Sequence, residues 1–325
     1  KVGGRADRGG QGQDIFWEDR VMGNTTIAWT DKTWNPTTGC SKVSQGCKNC
    51  YAERIFHRPY PGRAFTDVRC HPERLDQPLR WRKSCRIFVN SMSDLFHEDV
   101  PDQFIADVFA YMAYARQHSF QVLTKRPQRM LALLTSEAFA EFYDSATGIA
   151  HDDACDVLGR RGEFDPNYRL TTDIRAMDPA LPRPNIWLGV SVEDQPTADE
   201  RIPLLLQTPA AVRFVSFEPA LSPVDFRWGG MSLPDYAPHR PLPTLDWVII
   251  GGESGPKARS FDIGWARSTI AQCKVANVPV FVKQLGARPS DSSVAGHNTG
   301  ISLMDRAGAD PSEWSADLRV QEFPA

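Results

Sequence analysis

Residues 247–253 read WVIIGGE and residues 185–191 read NIWLGVS. Each is a short, nearly unbroken apolar run with β-branched residues, and each ends abruptly in polar groups. A strand with one face in water alternates apolar and polar residues, whereas a strand buried on both faces does not. The same pattern recurs at TTIAW (25–29), RIFVNS (86–91), FQVLTK (120–125), VRFVSFE (212–218) and VPVFVK (278–283). These runs predict the strands of a parallel sheet covered on both sides.

Helical spacing appears between them. Residues 102–117 place Phe104, Ile105, Val108, Phe109 and Met112 on one face, with Pro101 just before the start. Residues 262–277 do the same through Ile263, Trp265, Ala266, Ile270 and Cys273. Strand–helix alternation implies right-handed crossovers and an α/β fold. Seven such strands can close, or nearly close, into a barrel; a flat doubly wound sheet is the competing arrangement. Two long connections, 51–85 and 136–184, interrupt the rhythm, and the second predicts an insertion with a small helical lobe. The Pro-rich stretch 229–245 predicts a further excursion. Residues 1–21 are polar and Gly-rich and read as an upstream extension or cloning remnant, disordered at least in part. The expected organisation is one α/β domain over residues 22–325.

At 325 residues the chain can bury a sizeable core. A hydrophobic content of 41% and a charged content of 24% match a soluble globular protein. The net charge of -3 argues against a generally basic nucleic-acid coat, while leaving room for a local basic patch. No apolar run reaches about 18 residues, so no membrane span is expected. Seven cysteines are too few for a disulfide scaffold, and the odd, clustered set suits a reducing, cytoplasmic setting and a metal.

The expected strands finish alike. Ser91, Ser93 and Asp94 follow the second, Lys125 and Arg126 the third, Ser191 and Glu193 the fourth, and Glu218 the fifth. Gly251, Gly252 and Glu253 end the sixth, and Lys283 the last. In parallel α/β folds the carboxyl ends of the strands form the ligand face. One such residue alone reads as capping or solvation. Six consecutive strand ends of this kind point, as a set, to a site for a polar cofactor.

Chemistry is concentrated in TTGCSKVSQGCKNCYAE, which carries Cys40, Cys47 and Cys50. Three thiolates from one short loop can surround a soft metal centre. A structural zinc site closes with four ligands, whereas an iron–sulfur cluster held by three cysteines leaves one iron free for another molecule. His57 and Cys70 are the candidate fourth ligands for zinc, in which case the loop is a structural clasp.

The cysteine triplet after a first strand, followed by strand–helix units, resembles the radical S-adenosylmethionine (SAM) superfamily. More narrowly, TWNPTTGCSKVSQGCKNCYAE, NSMSDLFHEDVP, QVLTKRPQRM, WLGVSVEDQ, RFVSFEPAL and DWVIIGGESG resemble the phage-associated three-Cys-motif proteins. The resemblance implies a partial (β/α) barrel of six to seven mostly parallel strands with loop and helical insertions. It implies an enzyme in which Cys40, Cys47 and Cys50 hold a 4Fe–4S cluster and SAM binds the fourth iron. Reductive cleavage of SAM would then give a radical that abstracts a substrate hydrogen. By position, Ser91, Ser93 and Asp94 would meet the methionine amino group and Lys125 its carboxylate. Ser191 and Glu193 would meet the ribose, and residues 249–253, with Gly251, Gly252 and Glu253, would lie beside adenine. The loop departs from the superfamily's C-x3-C-x2-C by its longer first gap, and Asn49 stands where an aromatic residue is usual, with Tyr51 just after.

Two further readings concern partners. Arg54, Arg58, Arg63, Arg69, Arg74, Arg80, Arg82, Lys83 and Arg86 are interleaved with Phe56, Tyr60, Phe65 and Trp81. Arginine pairs with phosphate and aromatics stack on bases, so this loop is a candidate surface for nucleic acid or a nucleotide. Asp67, Glu73 and Asp76 support the plainer reading of a solvated loop. The resemblance also implies a separate three-Cys-motif partner protein, and a zinc- or cluster-stabilised scaffold without catalysis is the corresponding alternative.

Overall fold

A computed structural model of the chain describes residues 25–160, 183–226, 245–293 and 299–324. The core of the fold is a sheet of seven parallel strands. They are β1 (Lys32–Trp34), β2 (Arg86–Val89), β3 (Ser119–Thr124), β4 (Ile186–Val192), β5 (Val212–Phe217), β6 (Trp247–Gly251) and β7 (Val280–Gln284). Spatial order follows chain order from β1 to β7 without reversal. A doubly wound sheet requires a reversal, so the flat alternative is excluded. The sheet curls into a half-barrel flanked by helices, as the resemblance implied.

The apolar runs are explained by two separate cores. Outward residues such as Ile87, Val89, Val122, Leu188, Val190, Val248, Ile250 and Val282 pack with the helices in one cluster. Inward residues Phe88, Phe214, Trp247, Ile249 and Phe281 form a second cluster with Trp29 inside the curl. Burying each large apolar side chain is worth about 1.5–3 kcal/mol, so both faces of the sheet are driven out of water. Gly189 on β4 has no side chain because the Phe214 ring occupies that space; an added Cβ would meet it at 2.5 Å.

The first strand is displaced from its expected place. Residues 25–29 are not a strand; Trp29 sits in a turn and packs its ring against Phe88, 4.8 Å away, and Trp247, 6.2 Å away. The apolar character of TTIAW reflects a plug at the amino-terminal end of the half-barrel. The strand begins beyond it, where Asp31 anchors the turn by ion pairing with Arg86 at 3.1 Å.

Among the described residues the α-helices, apart from the single turn Gln77–Arg80, are α1 (Tyr51–Phe56), α2 (Asp102–Tyr114), α3 (Pro127–Leu134), α4 (Glu137–Arg160), α5 (Gln195–Gln207) and α6 (Ile263–Ala276). The expected apolar face of α2 is buried throughout. Helix α6 starts where Asp262 accepts a hydrogen bond from Gly264 N at 2.8 Å and stops at Asn277, whose φ is 55°. The expected insertion begins with α4, which packs on α2 through Phe109 and Phe139. Residues 161–182 of that insertion, residues 1–21, and the 229–245 excursion apart from Leu245 lie outside the described residues. Among the described residues, no helix is long and apolar enough to cross a membrane.

The outer edge of β7 is covered by the last residues. Val282 N donates to Val320 O at 2.8 Å and Glu322 N to Val280 O at 3.0 Å. Phe323 then packs tilted against Trp247 and edge-on against Phe281, and the Arg86 guanidinium of β2 lies 4.0 Å from its ring centre. The tail protects an exposed strand edge and bridges the open side of the half-barrel at its base.

Candidate metal and cofactor site

The three cysteines lie on a loop laid across the carboxyl ends of the strands. A short ladder, residues 37–38 against 69–70, delivers the chain to Gly39. There φ is 92°, and an added Cβ would meet the Asp67 carbonyl oxygen at 2.6 Å, so this turn requires glycine. Cys40 follows it, Cys47 ends a single 3-10 turn, and Cys50 stands just before α1.

Strand ends hold this loop down. Ser44 Oγ donates to Glu193 Oε1 at 2.9 Å, and Gln45 Nε2 to Asp194 at 2.6 Å. Asn49 Nδ2 donates to Glu253 Oε2 at 3.0 Å and to the Lys257 carbonyl at 2.9 Å. Tyr51 Oη donates to the Ser91 carbonyl at 2.6 Å, and Arg259 reaches the Gln45 carbonyl at 3.0 Å. Gly46 lies directly on the Glu193 carboxylate, 2.4 Å from where a Cβ would stand. The cysteine loop is therefore fastened to the ends of β2, β4 and β6.

The structure brings several of the sequence-predicted residues together. Lys125 Nζ pairs with Glu193 Oε1 at 3.0 Å. Asp94 accepts from Lys125 N at 3.0 Å and Thr124 Oγ1 at 2.7 Å, and pairs with Arg126 at 3.2 Å. Glu253 pairs with Arg259 at 2.5 Å. Others are engaged locally: Ser91 Oγ donates to Asn35 Oδ1 at 3.2 Å, and Ser93 Oγ meets Thr37 Oγ1 at 2.8 Å. Ser191 is buried, and its carbonyl accepts from Arg201 at 2.8 Å. The two glycines admit neighbours from within the chain. A Cβ on Gly251 would meet Glu218 Oε1 at 2.9 Å, and one on Gly252 the Leu285 carbonyl at 2.6 Å.

Electrostatics separate thiols from carboxylates. Burial, reinforced by Asp94, pushes the Cys40 thiol up to about 11, against the opposing pull of Arg126. Burial also raises Cys50. For Glu193, burial alone would raise the carboxyl, but Lys125 and Arg201 outweigh it and hold it below the usual range. Glu253 is likewise held low, with Arg259 and Asn49 overcoming its burial. Tyr51 keeps 41% of its surface accessible, yet desolvation raises its phenol well above the usual range.

Sequence reasoning placed Arg126, Glu218 and Lys283 among the polar strand ends and Tyr51 beside the cysteines, but gave none of them a role and did not pair Glu218 with Lys283. Lys283 Nζ and Glu218 Oε1 meet at 2.7 Å, spanning the end of β6 over Gly251. A usable signal existed in the period of two: Lys283 follows inward Phe281, and Glu218 stands four residues after inward Phe214.

The candidate fourth zinc ligands do not join the loop. His57 is exposed at the far end of α1, and Cys70 pairs in the ladder with Thr37. Among the described residues, no three His, Cys, Asp or Glu side chains are gathered as a single metal ion requires. All seven cysteines are free. In the 54–86 loop, much of the positive charge is used internally. Arg69 pairs with Asp67 at 2.6 Å, Arg74 reaches the Tyr60 hydroxyl at 3.2 Å, and Arg80 pairs with Asp76. Arg63 donates to the Thr38 carbonyl at 3.0 Å and lies over Phe56 and Tyr60.

No curated protein and no solved structure matches the chain. Residues 24–312 match the model of a family described as a protein of unknown function (DUF5131), and with most of its length matched the chain belongs to that family.

Proposed function

We propose that this protein is a radical-SAM-like enzyme. In this reading Cys40, Cys47 and Cys50 hold a 4Fe–4S cluster, and SAM occupies the carboxyl-end face of the half-barrel. One observation supports the reading: a loop carrying three thiols is fastened by Glu193 and Glu253 over the carboxyl ends of a parallel half-barrel. The donor set fits the group. Three soft thiols on one loop would each take a separate iron of a cluster and leave one position open, whereas a structural zinc ion calls for four gathered ligands.

A cluster held there would supply the electron for reductive cleavage of SAM. The chain's own residues bind and enclose. Lys125, whose ammonium pairs with Glu193 in the ligand-free chain, would meet the SAM carboxylate, and Ser91, Ser93 and Asp94 its amino group. Ser191 and Glu193 would meet the ribose, and the segment with Gly251, Gly252 and Glu253 would lie beside adenine. The aromatic plug of Trp29, Phe88, Phe214, Trp247 and Phe281 closes the base of the half-barrel. A cytoplasmic setting and a three-Cys-motif partner protein belong to the same reading.

Anaerobic purification with metal and sulfide analysis tests it. About four irons per chain, visible charge-transfer absorption and 5′-deoxyadenosine release after reduction with SAM are expected. About one zinc per chain and no colour would make the cysteines a structural clasp. Nucleic acid or a nucleotide is the leading substrate class, through the 54–86 loop. Oligonucleotide binding should weaken with salt and be lost when Arg80 and Arg82 become Ala. Salt-insensitive or absent binding removes nucleic acid from the reading.

A further inference from the structure

We propose, resting on the cluster reading above, that Arg126 is a positioning residue. It grips Cys40 and raises the reduction potential of the group that Cys40 helps to hold. Arg126 Nη1 lies 3.6 Å from Cys40 Sγ and 3.2 Å from Asp94 Oδ2. Its Nη2 donates to Ser41 Oγ at 2.8 Å and to the Ser41 carbonyl at 3.3 Å. One rigid guanidinium fork thus fixes the sulfur together with the side chain and backbone of the next residue.

The grip is itself supported on both sides. Asp94 is pinned by Thr124 Oγ1, Lys125 N and Phe96 N, the last at 3.0 Å. Ser41 Oγ lies 2.8 Å from His97 Nε2. His97 Nδ1 accepts from Asp99 N at 3.1 Å, which assigns the ring proton to Nε2 and directs it at Ser41. Arg126 is 8% exposed, so its charge acts through a low local dielectric. Cys47 faces the uncharged Ser44 hydroxyl instead, at 3.9 Å.

A donor and a positive charge at a ligand sulfur favour the more negative, reduced state. Hydrogen bonds to sulfur and net charge are among the levers that set cluster potentials. Lys125, the adjacent residue, is committed to Glu193, so the two cations at the end of β3 have separate partners.

The test is spectroelectrochemical titration of the full chain after anaerobic reconstitution. It compares the wild type with Arg126→Met, Arg126→Lys, Ser41→Ala and, as an exposed-charge control at the far end of α6, Lys274→Met. Arg126→Met is expected to lower the reduced-to-oxidised ratio at the wild-type midpoint about tenfold, a shift of about 59 mV for one electron. Arg126→Lys and the milder Ser41→Ala should shift in the same direction by less, and Lys274→Met should match the wild type. Lower iron content in the Arg126 variants, with the loaded fraction titrating at the wild-type potential, overturns the inference. No iron uptake by the wild type overturns the cluster reading and this inference with it. Uptake with an unchanged potential overturns the inference alone.

Discussion

Lys125 and Glu193 meet at 3.0 Å where β3 and β4 end, and the Glu193 side chain is 0% exposed. Arg201 approaches the same carboxylate at 3.2 Å, and Ser44 of the cysteine loop donates to it at 2.9 Å. One buried carboxylate therefore joins a strand end, helix α5 and the loop that carries the cysteines. Removing it leaves two cations without their anion, which costs about 3–5 kcal/mol for a buried pair. Glu193→Ala should lower the urea midpoint accordingly; a wild-type midpoint would show that the pair is not structural.

The same group sets an acid limit. Its folded pKa is depressed below the ordinary 4.5. The stability it contributes is therefore present above 4.5 and is lost as pH falls through the folded value. Glu193→Gln should flatten this part of the stability–pH curve, measured by denaturation at a series of acid pH values. An unchanged slope would assign acid unfolding to other carboxylates.

Gly46 presses on that carboxylate, with 2.4 Å between Glu193 Oε1 and an added Cβ. Gly46→Ala must push the loop away or move Glu193, and overpacking of this kind costs about 1–3 kcal/mol. Limited proteolysis and hydrogen exchange should show residues 40–50 opening well before the sheet. Wild-type protection of the loop would contradict this contact.

Cys40 is the thiol most affected by its surroundings on the loop, pushed from 9.0 to about 11 by burial and Asp94. A raised value contributes stability fully present below 9.0 and lost as pH rises through about 11. In the metal-free chain at about pH 8, its thiolate fraction is about a hundredfold below that of the unfolded thiol. Iodoacetamide should label Cys40 correspondingly slowly until denaturant is added. Metal uptake must release these protons, so loading should improve from about pH 7 to about pH 9. Labelling of native Cys40 at the unfolded rate would contradict the assigned burial.

Trp247 is the hub of the interior plug, packing tilted against Phe323 at 5.3 Å and donating to the Glu322 carbonyl at 2.8 Å. Trp247→Ala should cost about 3–5 kcal/mol, with Phe323→Ala costing less. Thermal unfolding gives the comparison. Equal, small losses would mean that the tail does not brace the base of the half-barrel.

Most of the sheet was legible because burial on both faces leaves a local mark. RIFV, FQVLT, IWLGVSV, VRFVSF and WVIIG each became a strand in the expected order. TTIAW failed for an instructive reason: an apolar run records burial, and Trp29 is buried as a plug instead of in a ladder. Lys125 and Glu193 were legible as polar strand ends, but their pairing was not. Gly252 was legible as a point of close approach, but that the Leu285 carbonyl is one of its neighbours was not.

By itself, the sequence determined the order of strands and helices and the three-thiol loop, because hydrophobic periodicity and ligand spacing are written over a few neighbouring residues. Only the tertiary structure decided which charges meet. Arg126 reaches Cys40 from 86 positions away, and Ser44 reaches Glu193 from 149. Such contacts depend on how the sheet curls and where its strand ends converge. Coulomb and hydrogen-bond energies act through space, and they leave no period along the chain.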